Sequence, residues 1–140
     1  MALIRNEQFG ISFSLKSGSI LLYKSTLQQL GNPECFRLLL NIQKRTLAVQ
    51  VCEYGVPGSH RVNKRRDGDG HFCFRSMKFV RLLYEQFGWE RNAAYRMMGI
   101  AHEDLRLISY NLNTAEKGRY EWWDMLVQPG ERLCSPEHQK

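Results

Sequence analysis

The chain carries a cluster of cationic side chains whose chemistry suits the binding of phosphate groups. Between His60 and Arg81 the sequence contains seven cations and two anions, for a net charge of +5. The cations are Arg61, Lys64, Arg65, Arg66, Arg75, Lys78 and Arg81. A clustered basic surface is the electrostatic footprint of a polyanion-binding protein. A solvated basic loop that only aids solubility accounts for the same charges equally well.

The cysteines and histidines are the residues that could ligate a metal ion. The four cysteines are Cys35, Cys52, Cys73 and Cys134, and none belongs to a Cys-x-x-Cys pair. A zinc site needs about four converging ligands, and His71-x-Cys73 is the only closely spaced pair. The sequence therefore predicts no metal site and no cofactor. Three of the cysteines fall in predicted strands, where a reduced thiol behaves as a small buried hydrophobic side chain.

Catalytic chemistry has little support in the sequence. Catalysis needs a nucleophile, a base and an orienting group close together, and the four histidines are scattered without a recognisable motif. The Asp67-Gly-Asp-Gly70 segment is too acidic for a phosphate-binding loop and precedes a predicted strand. Carboxylate pairs such as Glu103-Asp104 lie in predicted turns, where solvated side chains are ordinary. We therefore predict no catalytic residue and a protein that is not an enzyme.

Composition predicts a folded protein without a membrane partner. Hydrophobic residues make up 43% of the 140 residues, which is enough for a core, and the net charge is +6 with a sequence pI near 9.3. No apolar run approaches the roughly 20 residues that span a bilayer. The N-terminus lacks the apolar region of a signal peptide, so the prediction is a cytoplasmic protein. The oligomeric state stays open, and a homo-oligomer is one alternative.

A repeated order of elements surrounds the basic cluster. The first half reads as an alternating, half-buried strand at Phe9–Leu15, a turn, and a second strand. A short helix follows, with Ser25 as the predicted N-cap and Gly31 as its end. The apolar runs between Cys35 and Cys52 then flank a polar turn, which is the pattern of a β-hairpin.

The second half repeats this order with different residues. A strand at His60–Lys64 is followed by a glycine-bearing turn, the strand of Phe72–Ser76, and a helix over Met77–Phe87. Strands at Ala94–Met98 and Leu105–Tyr110 complete it. We predict a mainly β fold with short helices (α+β), in which a duplicated β-β-α-β-β unit occupies residues 9–52 and 60–112 of a single compact domain, 1–112.

Residues 113–140 form a predicted C-terminal extension that is partly docked, with a disordered tail. Its aromatic segment around Trp122 and Trp123 suggests packing anchors more than a base-stacking platform, because the surrounding charge is not basic. An exposed patch there would make the protein a non-enzymatic scaffold that binds a protein partner. Single-stranded nucleic acid or RNA is a third alternative, in which Phe72, Phe74 and Tyr95 act as surface aromatics.

The segment Ser17-Gly-Ser-Ile-Leu-Leu-Tyr-Lys-Ser-Thr-Leu-Gln-Gln-Leu-Gly31 resembles the central strand–helix motif of the SpoVT/AbrB-like family of bacterial transcription regulators. Two such units in one chain are similar to the arrangement in the MraZ proteins of that superfamily. The resemblance covers most of residues 9–112 by pattern. It implies a swapped-hairpin β-barrel whose hairpin face contacts double-stranded DNA through basic side chains.

The resemblance also indicates which basic residues to test. The matching positions are Lys16 and Lys24 in the first unit and Lys64, Arg65, Arg66 and Arg75 in the second. With Arg61 and Lys78 of the basic cluster, these residues are the predicted DNA-binding site. They would act by neutralising phosphates, and arginine can also fork onto a phosphate or a guanine edge.

Overall fold

The computed structural model describes residues 9–62 and 71–118, which form nine strands, two α-helices and two 3₁₀ turns. The strands are β1 (Phe9–Ser14), β2 (Ser19–Leu22), β3 (Cys35–Asn41), β4 (Thr46–Val51), β5 (Ser59–Arg61), β6 (Phe72–Arg75), β7 (Ala94–His102), β8 (Leu107–Asn111) and β9 (Glu116–Gly118). The helices are α1 (Lys24–Gln29) and α2 (Met77–Phe87), and the 3₁₀ turns are Glu103–Leu105 and Leu112–Thr114. Neither helix of this part of the chain is long and apolar enough to cross a membrane.

All neighbouring strands pair antiparallel in one sheet, which curls into a half-barrel. The strand order is β5-β3-β4-β8-β7-β1-β2-β6, and β9 pairs with the first part of β7. Two strands precede a helix and two follow it in each half of the chain. The prediction of a mainly β fold with short helices is confirmed, and α2 has the predicted bounds.

The core lies where both helices pack against the sheet. Ile11 and Phe13 of β1 lie there with Leu27 of α1 and Leu83 of α2, and all four side chains are fully buried. β1 was expected to be half-buried, but both of its faces are buried. One reason is that the Tyr23 ring covers Gly10. A Cβ atom added to Gly10 would lie only 2.5 Å from that ring.

The ends of the helices follow the sequence pattern only in part. α1 begins at Lys24, so the predicted N-cap at Ser25 was wrong and Tyr23 takes that position. The Tyr23 carbonyl accepts hydrogen bonds from the Thr26 and Leu27 amides, at 3.0 and 3.2 Å. Gly31 and Gly88 follow the two helices with φ angles of 83° and 65°, left-handed conformations that favour glycine.

The cysteines also differ from expectation. Cys35 and Cys52 are free thiols, as predicted, whereas Cys73 is disulfide-bonded and the prediction of a reduced thiol there was wrong. Cys73 packs beside Leu21 and is only partly buried. Its sulfur can therefore be reached by a second cysteine, which a strand pattern alone does not reveal. Cys134 lies outside the described residues.

Candidate nucleic-acid interface

The β1–β2 turn and the junction between β6 and α2 are joined into one structural unit. Arg75, the last residue of β6, donates a hydrogen bond from Nε to the Ser17 carbonyl at 3.0 Å. The Ser76 amide donates to the Gly18 carbonyl at 2.9 Å. Met77 packs on Gly18 so closely that a Cβ there would lie 2.9 Å from the Met77 Cε atom. These contacts hold the turn against the start of α2.

Four cations lie around this unit. Lys16 is in the turn, Arg75 ends β6, and Lys78 is in the first turn of α2, and all three are exposed. Arg91 joins them across an open cleft of about 510 Å³, whose lining also includes Leu15 and Asn92. Sequence reasoning missed Arg91, since no local pattern signals that a residue beyond α2 returns to the β1–β2 turn.

The backbone adds positive potential at the same place. The N-cap residue of α2, Ser76, makes no side-chain hydrogen bond to the helix, and the first turn contains no acidic residue. The partial positive charge of a helix N-terminus is therefore not offset by a carboxylate of that turn. Beyond the other end of α2, next to Arg91, the carboxylate of Glu90 is bound by Lys117 at 2.8 Å, and this hydrogen bond raises the pKa of Lys117.

The remaining predicted cations lie elsewhere. Lys24 begins α1, and its amide donates to Nδ1 of His71 at 2.9 Å. The β2–β6 ladder runs from Ser19 opposite Arg75 to Leu22 opposite Phe72, so Lys24 lies beyond the end of the ladder that is far from Arg75. Arg61 lies at the end of β5 with its guanidinium carbon 4.7 Å from the centre of the Tyr54 ring.

The structure therefore brings together three of the predicted residues, Lys16, Arg75 and Lys78, and separates Lys24 and Arg61 from them. Three further predicted residues, Lys64, Arg65 and Arg66, lie outside the described part of the chain. So do Trp122 and Trp123, on which the predicted protein-binding patch depends.

The aromatic side chains expected as alternatives for base stacking are packed inside the protein. Phe72 and Phe74 form a ring cluster with Phe36 and His60, in which the His60 and Phe74 centroids are 4.8 Å apart. Burial in this cluster lowers the pKa of His60. Tyr95 is buried and stacks on the Trp89 ring at 4.4 Å. These rings serve the core and do not form an open stacking surface.

Over residues 9–62 and 71–118, no three His, Cys, Asp or Glu side chains come together as metal ligands. Comparisons of the chain with known protein families, curated proteins and solved structures give no match. The interpretation of the cationic surface therefore rests on its own geometry and charge.

Proposed function

We propose that the chain is a small DNA-binding protein that contacts the phosphates of double-stranded DNA through Lys16, Arg75 and Lys78. The observation that carries the proposal is the convergence of these exposed cations where Arg75 joins β6 to the β1–β2 turn. A role in transcription regulation belongs to the same proposal and rests on the resemblance to the SpoVT/AbrB-like family, and a cytoplasmic location is also part of the proposal.

Arg75 is suited to a directional contact. Its Nε hydrogen bond to Ser17 restrains the side chain and leaves the other N–H groups of the guanidinium to fork onto phosphate oxygens. Lys16 and Lys78 would act as point charges beside it.

The proposal includes an internal duplication arranged as a swapped-hairpin barrel. Arg45 and Arg106 occupy the turns that precede β4 and β8, and each has a φ angle of 53°. The Leu112 amide donates to the Arg45 carbonyl at 2.9 Å, and the Val51 amide donates to the Arg106 carbonyl at 3.0 Å. The two donors are 61 positions apart in the sequence (112 − 51), and so are the two acceptors (106 − 45). This equal spacing is expected if a two-fold axis relates the halves.

The pairing of strands supports the same inference. β1 of the first half pairs with β7 of the second, and β5 of the second pairs with β3 of the first. β2 pairs with β6 and β4 with β8. If the two halves are exchanged, the β1–β7 pair becomes the β5–β3 pair, and the β2–β6 and β4–β8 pairs map onto themselves.

A matched pair of arginine variants tests the DNA-binding surface. Arg75 and Arg37 both lie on strands and both donate from Nε, Arg37 to the Gln50 side chain at 3.2 Å. Binding of random duplex DNA, measured by fluorescence anisotropy at two salt concentrations, should weaken in Arg75→Gln and stay unchanged in Arg37→Gln. Equal effects of the two variants would show that only overall charge matters.

A triple variant measures the number of contacts. Replacing Lys16, Arg75 and Lys78 by glutamine should reduce the slope of log K against log salt by about 2.7, at about 0.9 for each phosphate contact. Circular dichroism must show an unchanged fold. Wild-type affinity and slope in the folded triple variant would refute the proposed surface.

The alternative of a non-enzymatic protein-binding scaffold remains a separate candidate. Its predicted site at Trp122 and Trp123 lies outside the described residues. Within those residues, apolar side chains are exposed on a different surface, the outer face of the β3–β4–β8–β7 sheet.

A further inference from the structure

A row of directly paired residues crosses the outer face of four strands. Leu39 of β3 pairs with Ala48 of β4, Ala48 with Ser109 of β8, and Ser109 with Ile100 of β7. Directly paired residues point to the same face of a sheet. The adjacent residue Val49 is fully buried on the core side, so this row faces outward, and Ile100 is 67% exposed.

Apolar exposure in the described residues is concentrated on the two hairpins that form this face. Four of the five large hydrophobic side chains that are exposed belong to them, and Tyr54 is the fifth. The four are Leu39, Ile42, Ile100 and Leu105. A concentration of this kind is typical of an interaction site, whereas single exposed apolar residues are ordinary.

The two ends of the face carry opposite charge. The β3–β4 turn contains Lys44, and the β7–β8 turn contains Glu103 and Asp104, all exposed. Because β4 and β8 are antiparallel and each starts at its own turn, the turns lie at opposite ends of the face. None of the three charges forms an ion pair with another described residue.

The neighbouring turn arginines are engaged elsewhere. Arg45 lies over the Phe87 ring at 4.8 Å and donates to the Asn113 side chain. Arg106 lines a cleft beside the end of α1 with Gln29 and Gly31. With these arginines counted, the β3–β4 turn carries two positive charges, Lys44 and Arg45, and the β7–β8 turn carries a net charge of −1 from Glu103, Asp104 and Arg106.

We propose that this face binds a second copy of the chain in a two-fold symmetric dimer. In such an interface each patch of one copy meets the complementary patch of the other, and every contact occurs twice. Lys44 of each copy would lie against Glu103 and Asp104 of the other, and the row from Leu39 to Ile100 would lie between these two contacts. Charge complementarity of the face with itself is what selects a second copy over an unrelated partner.

The dimer does not depend on the proposed DNA binding. The β1–β2 turn lies beside the start of β7, where Ser14 pairs with Ala94, whereas the face uses Ile100 near the end of that strand. Dimerisation would leave the cations at the β1–β2 turn uncovered. The two proposals can therefore fail independently, and the dimer is measured without DNA.

Charge reversal provides a specific test, with the dimer dissociation constant measured by sedimentation velocity and light scattering. The Lys44→Glu chain carries a carboxylate at each end, and the Glu103→Lys/Asp104→Lys chain carries only cations at both ends. Each should dimerise at least about tenfold more weakly than the wild type, a change equivalent to about 1.4 kcal/mol. An equimolar mixture of the two should form a heterodimer, because both end-to-end pairings are restored.

Two control variants distinguish this interface from a general effect of net charge and from loss of the fold. Lys24→Glu makes the same charge change at the start of α1, outside the four strands of this face, and should leave the dissociation constant unchanged. Ile100→Asp should dissociate the dimer while the thermal unfolding of the folded chain stays cooperative. A wild-type monomer at every concentration, or charge-reversed chains that fail to pair in the mixture, would overturn the proposal.

Discussion

The first two strands of each half are held in different ways. β1 and β2 form a hydrogen-bonded ladder from Ile11–Leu22 to Ser14–Ser19. Within the described residues β5 and β6 share no ladder, since β5 pairs with β3 and β6 with β2. Their contact is made by rings, in which His60 meets Phe74. A hydrogen-bonded ladder in the first half is thus replaced by aromatic packing in the second. The free energy of unfolding should therefore depend on these rings and, because His60 is one of them, on pH.

The largest expected effect comes from removing the ring of β3 on which the β5 and β6 rings pack. Phe36 is fully buried and contacts His60, Phe72 and Phe74. Phe36→Ala should lower the free energy of unfolding by about 3–5 kcal/mol, measured by urea denaturation. Tyr54→Ala, at a 70% exposed ring, is the control and should have little effect. A Phe36→Ala cost as small as the control would mean that rings do not replace the ladder.

A glycine variant perturbs the first half instead. A Cβ at Gly10 would lie 2.5–2.8 Å from three Tyr23 ring atoms, so Gly10→Ala should cost about 1–3 kcal/mol through overpacking. The pH dependence of stability should not change, because His60 is in the other half. Replacing Tyr23 by leucine in the same chain should recover part of the loss. Simple additivity of the two substitutions would exclude the ring as the cause.

Tyr110 is on β8 and belongs to neither the β1–β2 pair nor the β5–β6 pair, so a variant there should affect stability independently of this comparison. Its hydroxyl is buried and has no hydrogen-bond partner among the described residues, and burial raises its pKa far above the ordinary tyrosine value. The nearby Thr26 hydroxyl, which donates to the Gly10 carbonyl, lowers that pKa only in part and makes no well-formed hydrogen bond to Tyr110. Tyr110→Phe should therefore raise the free energy of unfolding by about 1 kcal/mol. Destabilisation on urea denaturation would indicate that the hydroxyl has a partner.

The smallest expected effect is the pH dependence of the ring cluster. Burial lowers the pKa of His60 below its ordinary value of 6.5, so the unfolded chain binds a proton at a higher pH than the folded chain. The free energy of unfolding should then fall as the pH drops below 6.5 and level off beneath the folded-state pKa. In His60→Phe this part of the decrease should disappear. An identical pH profile in wild type and variant would assign the dependence to other groups.

Local patterns predicted several elements accurately. The apolar spacing between Met77 and Phe87 defines α2 because a helix with one buried face needs only that periodicity. The glycines that end both helices were predicted because few other residues adopt their φ angles. Strand and turn order in both halves follow from the same short-range signals.

Other features depend on residues distant in sequence. Ser25 has the right chemistry for an N-cap, but the helix starts one residue earlier, where the Lys24 amide meets His71. The serines of β1 alternate like exposed residues, yet the whole strand is buried. Arg91 has no sequence signal at all, since its place beside Lys16 results from the path of the chain after α2.

The sequence by itself determined the element order, the two helix ends and the concentration of positive charge, because each depends on neighbouring residues or on composition. Only the tertiary structure decided which cations share a surface, which rings pack around His60 and which apolar side chains stay outside. Those outcomes depend on strand pairing and register, and a one-residue shift in register would turn every side chain of a strand to the other face.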